Sequence, residues 1–307
     1  MSDSHLVLRD RVVELRPGRP LVMGIVNAGP DSFSDAVRLD TLDAQVAHAL
    51  ALVEAGADLI DVGGESGVTY TGVTAEAVEA DRVVPLVARL VAEGVTVSVD
   101  TWKPAVAAAA LDAGAHVLND VSGLRDPALA DVAARAGASL VVMHTRAAPK
   151  QERFPDYGGD VVGDVVRFVR ERCALAVARG VAPARLIVDP GPDFAKTPAE
   201  SIACLRAIDE FRALGHPWLA AVSRKYFLAA ITGQPPAERL AGTLAAVGFA
   251  ADHGAAIVRV HDVAQTADFL AVRAVLRGEA EPGEVDPGDD ALKWIRAGAE
   301  PGGGTAS

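Results

Sequence analysis

The sequence predicts a (β/α)8 barrel, a TIM barrel in which eight parallel strands alternate with helices. Short apolar runs such as "ADLIDVGG" and "ASLVVMH" do not alternate with polar residues, which is typical of parallel strands buried on both faces. Glycines recur just after helical patterns, and several of them precede an apolar run. A chain of 307 residues suits one such barrel. A doubly wound open sheet is the alternative architecture.

The apolar runs place the eight strands in chain order. They are expected at about 21–27, 57–63, 95–100, 116–121, 139–144, 185–190, 218–223 and 256–261. The glycines that mark helix ends are Gly56, Gly94, Gly114, Gly137, Gly180, Gly215, Gly254 and Gly278. Thr197 precedes Pro198 and so predicts a helix start, whereas Pro85 is expected to kink or end the second helix.

Two segments flank the predicted barrel. The stretch "HLVLRDRVVEL" at 5–15 predicts a hairpin-like lid over the bottom of the barrel. After Gly278 the chain becomes rich in glycine, proline and acidic residues, which predicts a disordered tail with a short helix near Leu292–Arg296. We therefore expect a barrel domain over 1–277 and a flexible acidic tail over 278–307.

Composition excludes several classes of function. A net charge of -12 and a pI of about 5.0 argue against a nucleic-acid partner, although a local basic pocket could still bind a small anion. Cys173 and Cys204 lack the spacing of a zinc or redox site and are expected to fill the core. No apolar run reaches the roughly 18 residues of a membrane span, and no signal region is seen, so a soluble cytoplasmic protein is expected.

A polar side chain ends every predicted strand. The functional groups of a (β/α)8 barrel lie at the C-terminal ends of its strands. A single such ending would be a loop-capping Asn or Asp, but a complete set favours a functional site. The endings are Asn27, Asp61 with Glu65, Asp100, Asn119, His144, Asp189, Ser223-Arg224-Lys225, and Arg259 with His261.

One half of this set offers carboxylates and a carboxamide. Asp100, Asn119 and Asp189 end strands that are otherwise apolar. A carboxylate can accept two parallel hydrogen bonds from an N–C–N edge, so these three residues suit a flat heterocycle rich in N–H donors.

The other half predicts an anion site. Lys225, Arg259, His261 and Asn27 end the seventh, eighth and first strands, which are neighbours in a closed barrel. The late loops of such barrels often bind phosphate. The alternative for Arg259 and His261 is a salt bridge at the strand end.

Seven motifs together resemble the dihydropteroate synthases of folate biosynthesis over residues 5–277. They are "MGIVNAGPDSFSD", "GADLIDVGGES", "SVDTWKPAVAAAALDAGAHVLNDVSG", "VVMH", "LIVDPGPDFAKT", "VSRK" and "RVHDV". The resemblance implies the barrel fold and a transferase. The implied enzyme joins 6-hydroxymethyl-7,8-dihydropterin diphosphate to the arylamine p-aminobenzoate, giving 7,8-dihydropteroate and diphosphate. The resemblance also implies a homodimer, which is common among family members.

The resemblance also implies roles for single residues. Asp100, Asn119 and Asp189 would bind the pterin, with Met143 packing against the ring and Lys225 contacting it. Asn27, Arg259 and His261 would bind the diphosphate and Mg2+, with Asn27 as the main metal contact of the protein. Lys225, Arg259 and His261 would be the catalytic residues.

Several positions differ from the usual family motifs. They are Ala28 and Gly29 in the first loop, Gly67 and Val68 where Thr-Arg is usual, Asp193 and Ala195 at two usual glycines, and Tyr226 where serine is common. The pattern resembles the divergent second copies of some actinobacteria. A paralogue that binds pterin diphosphate but uses another acceptor, or none, is therefore an alternative. A corrinoid-type pterin-binding methyltransferase is disfavoured by the diphosphate set. The acceptor, sulfonamide sensitivity and oligomeric state stay open.

Overall fold

The computed structural model describes residues 5–16, 18–29, 41–66 and 72–283. Its barrel strands are β3 Leu21–Asn27, β4 Leu59–Gly63, β5 Val97–Asp100, β6 Val117–Asp120, β7 Ser139–Met143, β8 Leu186–Asp189, β9 Leu219–Ala220 and β10 Ile257–Val260. All eight predicted strands are confirmed. Their ends agree to within two residues except for β9, which stops three residues early.

The eight strands form one parallel sheet in the order β8-β7-β6-β5-β4-β3-β10-β9. A parallel bridge between Val188 and Trp218 joins the two ends of this order, and Val188 N donates to Pro217 O at 2.9 Å. The sheet therefore closes into a (β/α)8 barrel, and the open-sheet alternative is wrong. Within this sheet β10 pairs with β3, so the first and last barrel strands end side by side.

The helices lie between the strands. They are α1 Leu42–Glu54, α2 Glu76–Ala92, α3 Pro104–Asp112, α4 Ala128–Ala136, α5 Val161–Ala178, α6 Pro198–Arg206, α7 Ile208–Arg212, α8 Tyr226–Thr232, α9 Leu240–Asp252 and α10 Val263–Leu276. Thr197 starts α6 with a reciprocal capping box to Glu200, as its position before Pro198 predicted. All eight glycines predicted to end helices have positive φ, between 63° and 106°.

Pro85 does not end α2, contrary to one of the two outcomes expected for it. The helix continues to Ala92, and Leu86, Val87 and Leu90 beyond the proline are fully buried. A proline inside a helix costs about 3 kcal/mol, whereas burying one such side chain stabilises by roughly 1.5–3 kcal/mol. Three buried side chains outweigh the lost backbone hydrogen bond.

The predicted N-terminal lid is confirmed. Strands β1 His5–Val7 and β2 Val12–Glu14 form an antiparallel hairpin. Leu6 and Leu8 are buried against a cluster of inward-facing barrel residues that are themselves at most 1% exposed: Met23, Leu59, Val117, Val141, Ile187, Leu219 and Ile257. Ser139 Oγ donates to the carbonyl of Val7 at 2.6 Å and ties the hairpin to β7.

At the other end of the chain, α10 ends at Leu276. The predicted helix near Leu292–Arg296 lies outside the described residues, and the division into a barrel over 1–277 and a tail over 278–307 stays a prediction. Within the described ranges, no helix combines the length and the apolar character needed to cross a membrane.

Truncating the lid should destabilise the barrel. Leu8 is 2% exposed, so Leu8→Ala should lower the free energy of unfolding by about 3 kcal/mol through lost burial and a residual cavity. Val12 lies in the same hairpin but is 61% exposed, so Val12→Ala should change it by less than about 0.5 kcal/mol. Urea unfolding measures both, and equal effects would show that the hairpin does not seal the core.

Candidate functional site

A cavity of about 690 Å³ opens at the C-terminal ends of the barrel strands. Every residue predicted for the site lines it: Asn27, Asp100, Asn119, Met143, Asp189, Lys225, Arg259 and His261. Parallel strands that end at one rim bring these side chains together although they span most of the chain.

The Arg259 guanidinium crosses the floor of this cavity and pairs with two carboxylates. Its Nε donates to Asp61 Oδ2 at 2.6 Å and its Nη2 donates to Asp100 Oδ2 at 3.0 Å. Asn119 Nδ2 also donates to Asp61 Oδ2, at 3.1 Å. A single hydrogen-bonded network thus contains Asp100 and Asn119 from the predicted heterocycle half and Arg259 from the predicted anion half. Arg259 joins the two halves.

The network changes the protonation of Asp100. Burial, opposed by the Arg259 guanidinium and assisted by the nearby Asp61 carboxylate, raises the pKa of Asp100 to about 7. The protonation of Asp100 therefore changes near neutral pH. Asp61 Oδ1 is buried and has no hydrogen-bond partner among the described residues. The sequence predicts Asp61 as a strand ending but assigns it no role. Its position inside the apolar strand "LIDVGG" is the feature that indicates a buried carboxylate there.

Asp189 and Lys225 lie on the opposite side. Asp189 Oδ1 accepts a hydrogen bond from Gly191 N at 2.7 Å, and burial raises the pKa of its carboxyl group. Lys225 Nζ lies 4.4 Å from the centre of the Phe194 ring. Burial lowers the pKa of Lys225, while the carboxylates of Asp193 and Asp189 act in the opposite direction.

His261 faces the cavity as a neutral imidazole. Burial lowers its pKa to about 3, and the Arg259 and Arg224 cations lower it further. Ser223 Oγ accepts the backbone N–H of His261 at 3.2 Å and lies 2.9 Å from Nδ1. When the Ser223 hydroxyl donates to Nδ1, the ring hydrogen of His261 lies on Nε2. His261 can bind an anion as a neutral N–H donor.

The sequence profile of the pterin-binding enzymes matches residues 23–261. The chain is 47% identical over 245 residues to a probable bifunctional folylpolyglutamate synthase/dihydropteroate synthase of Haloferax volcanii, covering 79% of this chain but 29% of that protein. It is 39% identical to the Bacillus subtilis dihydropteroate synthase, covering 86% and 93% of the two chains. A Xanthomonas albilineans dihydropteroate synthase with 4-aminobenzoic acid superposes with a TM-score of 0.81 at 42% identity, covering 89% and 98%.

The chain belongs to the dihydropteroate synthase family. The resemblance of its motifs is confirmed by these matches, which cover most of the chain. This member departs from the usual family motifs in the loops around the cavity.

Lys196 of this dihydropteroate synthase family member was missed by sequence reasoning. Its side chain is 1% exposed, and Nζ lies 2.7 Å from His144 Nδ1 and donates to the carbonyls of Gly191 at 2.9 Å and Phe194 at 3.2 Å. His144 Nε2 lies 2.9 Å from Asp164 Oδ2, and burial lowers the pKa of His144 to about 3. The imidazole therefore accepts from Lys196 and donates to Asp164. His144, predicted as a polar strand ending, supports Lys196 from behind the cavity wall.

A second charged cluster holds the two described ends of the loop that follows β4. Lys103 Nζ donates to Glu65 Oε2 at 2.5 Å and to the carbonyl of Thr74 at 2.6 Å, and it also pairs with Glu79. Both ends of the loop are thereby tied to the start of α3. Gly67 and Val68, two of the departures from the family motif, lie outside the described residues.

Two further departures keep a glycine-like backbone. Asp193 has φ of 66° and Ala195 has φ of 53°, both in the left-handed region that glycine adopts at no steric cost. The loop after β8 therefore keeps the conformation expected of the family glycines although both positions carry side chains. Tyr226 lies at the rim with 63% of its side chain exposed.

Removing the Asp61 charge should lower the pKa of Asp100. In Asp61→Asn, Asp100 loses a like-charged neighbour and keeps Arg259, so its titration midpoint should fall from about 7 to about 6 or below. Carboxyl-carbon NMR titration measures the midpoint directly. Asp209→Asn is the control because Asp209 is 70% exposed and lies on α7. An unchanged midpoint in Asp61→Asn would show that the Asp61 charge does not contribute to the pKa of Asp100.

Proposed function

We propose that this protein forms 7,8-dihydropteroate from 6-hydroxymethyl-7,8-dihydropterin diphosphate and p-aminobenzoate, with release of diphosphate. The observation that carries the proposal is the single cavity in which the carboxylate and carboxamide set meets Lys225, Arg259 and His261. A ligand that joins a donor-rich heterocycle to an anion needs both kinds of group within one site.

The pterin would bind to Asp100, Asn119 and Asp189, which are close to the floor of the cavity. The fully buried Asp61, 3.1 Å from Asn119 Nδ2, would fix the orientation of that carboxamide. Met143 is 1% exposed and lines the cavity, so its thioether would pack against the ring. Lys225 would reach the ring from the other side.

The diphosphate would bind to Lys225, Arg259 and His261. The third guanidinium nitrogen of Arg259, Nη1, makes no hydrogen bond with any residue that the structure describes, and the neutral Nε2–H of His261 is a further donor. Cationic and N–H donors placed where the leaving oxygen gains charge lower the barrier to its departure.

Asn27 would be the protein ligand of Mg2+. Its Oδ1 would lie 3.7 Å from a Cβ placed at Gly63, so it sits at the strand ends beside Asp100. Mg2+ prefers oxygen donors and commonly keeps waters and substrate phosphate oxygens as its other ligands. Within the described ranges no three His, Cys, Asp or Glu groups could hold a metal, which fits a site completed by substrate oxygens. Bound Mg2+ would neutralise charge on the diphosphate.

The reaction would replace one bond at the pterin methylene carbon. The bond from this carbon to the diphosphate oxygen breaks, the arylamine nitrogen forms the new bond, and one amine proton is lost to solvent. The protein positions both substrates and stabilises the leaving anion. We also propose a homodimer, from the family resemblance, and a cytoplasmic location, from the sequence features described above. Sedimentation would test the first.

Diphosphate release should depend on both the arylamine and Mg2+. With pterin diphosphate present, p-aminobenzoate should start release, and a chelator should reduce it at least tenfold because the leaving charge is no longer neutralised. A coupled diphosphate assay measures this, and complementation of a strain lacking dihydropteroate synthase tests it in cells. Binding of pterin diphosphate without p-aminobenzoate-dependent release would favour the divergent paralogue.

Asp189→Ala should abolish measurable pterin binding. Losing one partner of a buried charged hydrogen bond costs about 2–4 kcal/mol, or about 30- to 1000-fold in affinity. Calorimetry with the pterin diphosphate measures the loss, and thermal unfolding checks that the variant is folded. Asp209→Ala serves as a surface control. Unchanged affinity in Asp189→Ala would remove Asp189 from the pterin site.

A further inference from the structure

The loop after β8 turns around the buried ammonium group of Lys196. The side chain is 1% exposed, and its Nζ donates to the carbonyls of Gly191 at 2.9 Å and Phe194 at 3.2 Å. Phe194 N donates to the same Gly191 carbonyl at 3.1 Å. One cation therefore holds both ends of the turn 191–194.

A chain of side chains fixes this ammonium group in turn. A charged ammonium group can only donate, so His144 Nδ1, which lies 2.7 Å from Lys196 Nζ, must accept. The ring hydrogen of His144 then lies on Nε2, 2.9 Å from Asp164 Oδ2. Arg146 forks onto the same carboxylate, with its Nε 2.9 Å from Oδ2. The chain of hydrogen bonds runs from the partly exposed Arg146 to the turn.

The turn in turn contacts residues of the proposed pterin site. Gly191 N donates to Asp189 Oδ1 at 2.7 Å. A Cβ placed at Gly191 would lie 3.1 Å from Met143 Cγ, so the turn also packs against Met143. The Phe194 ring centre lies 4.4 Å from Lys225 Nζ. One turn therefore sets a hydrogen-bond donor, a packing surface and an aromatic face in the site.

Two residues of this loop have an unfavourable backbone conformation. Asp193 and Ala195 have φ of 66° and 53°, at positions where the family motif usually has glycine. The left-handed conformation costs roughly 1–2 kcal/mol for a residue with a side chain. A hydrogen bond from a charged donor contributes about 1.5–3 kcal/mol, so the bonds from Lys196 can offset this cost. The loop of this chain depends on Lys196 more than a loop with two glycines would.

Lys196 also acts on the charge of Asp189. Burial raises the pKa of the Asp189 carboxyl group, whereas the hydrogen bond from Gly191 N and three nearby cations lower it. These cations are Lys225, Lys196 and Arg259. An ionised carboxylate accepts both hydrogen bonds of an N–C–N edge, whereas a protonated one presents a donor on one oxygen.

We propose that Lys196 is a positioning residue for the pterin site, which holds Asp189 and Phe194 in place through the turn 191–194. The proposal rests on the pterin binding proposed above and adds a residue that acts through Asp189 rather than on the ligand. Arg259 lies on β10 and His261 follows it, so neither belongs to this turn. Loss of Lys196 should therefore weaken the pterin half of the site and spare the anion half.

Lys196→Met and Lys196→Gln test this role. Both remove the charge, but glutamine keeps an amide donor for the carbonyls. Calorimetry measures the affinity for 6-hydroxymethyl-7,8-dihydropterin and, separately, for diphosphate with Mg2+. Lys196→Met should weaken pterin binding about tenfold, and Lys196→Gln should weaken it less. Diphosphate affinity should stay within about twofold in both variants.

Carboxyl-carbon NMR gives a second measurement, which needs no ligand. The titration midpoint of Asp189 should rise in both variants because a nearby cation is lost. Lys103→Met is the matched control, since Lys103 is also a buried lysine but pairs with Glu65 and Glu79. It should leave the Asp189 midpoint unchanged, and thermal unfolding checks that each variant is folded.

The possible outcomes separate this inference from the proposed function. Pterin binding by the parent protein, with equal affinity in Lys196→Met or an unchanged Asp189 midpoint, would overturn the inference and leave the function standing. Equal losses of pterin and diphosphate affinity would show a general structural role and would also overturn it. If the parent protein binds no pterin, the proposed function and this inference fail together.

Discussion

The pairing of one guanidinium with two carboxylates inside the barrel is the interaction on which the site depends. Arg259 reaches Asp61, which is 198 residues away in the chain, and Asp100, which is 159 residues away. The sheet order β5-β4-β3-β10 places β10 two strands from β4 and three strands from β5, so the parallel sheet brings these distant residues together. Breaking such a buried ion pair leaves an uncompensated charge at a cost of about 3–5 kcal/mol, so the sheet order and the charge balance depend on each other.

The other charged groups extend this arrangement outward in layers. A hydrogen bond to Asp61 orients Asn119, and a hydrogen bond from Gly191 N orients Asp189. The carboxylates of Asp193 and Asp189 favour the charged form of Lys225. Lys196 holds the loop after β8 by the carbonyls of Gly191 and Phe194. Burial lowers the pKa of Lys196 to about 8, against the opposing influence of Cys204 and Asp189, so the charged form still predominates at neutral pH. The inner groups are placed by strands, whereas the outer ones depend on buried side-chain contacts between loops.

This division explains what could be predicted from sequence. Strand order, the helix-ending glycines, the hairpin lid and seven of the predicted cavity-lining residues follow from local patterns and from the rule that barrel sites lie at strand ends. Met143 followed only from the family resemblance. Lys196 lies within the quoted motif "LIVDPGPDFAKT", but it does not end a strand and its partner His144 is 52 residues distant, so local patterns gave it no role. The expectation that Pro85 could end the second helix is wrong for a related reason. Its local cost is visible in sequence, but the burial of the helix beyond it is a tertiary property. The joining of the two halves by Arg259 is likewise a tertiary contact, between side chains 159 and 198 residues apart in the chain.

The departures from the family motifs affect the two halves of the site differently. At Asp193 and Ala195 the backbone keeps the left-handed conformation, so the loop geometry survives the loss of glycine. The charge of this loop does change, because Asp193 adds a carboxylate that acts on Lys225, whereas a glycine would have no side chain. Asp100, Asn119, Asp189 and His261 meanwhile line the same cavity, where the resemblance implies them. A substitution that keeps the left-handed backbone therefore alters the charge acting on Lys225 without displacing the groups that end the strands.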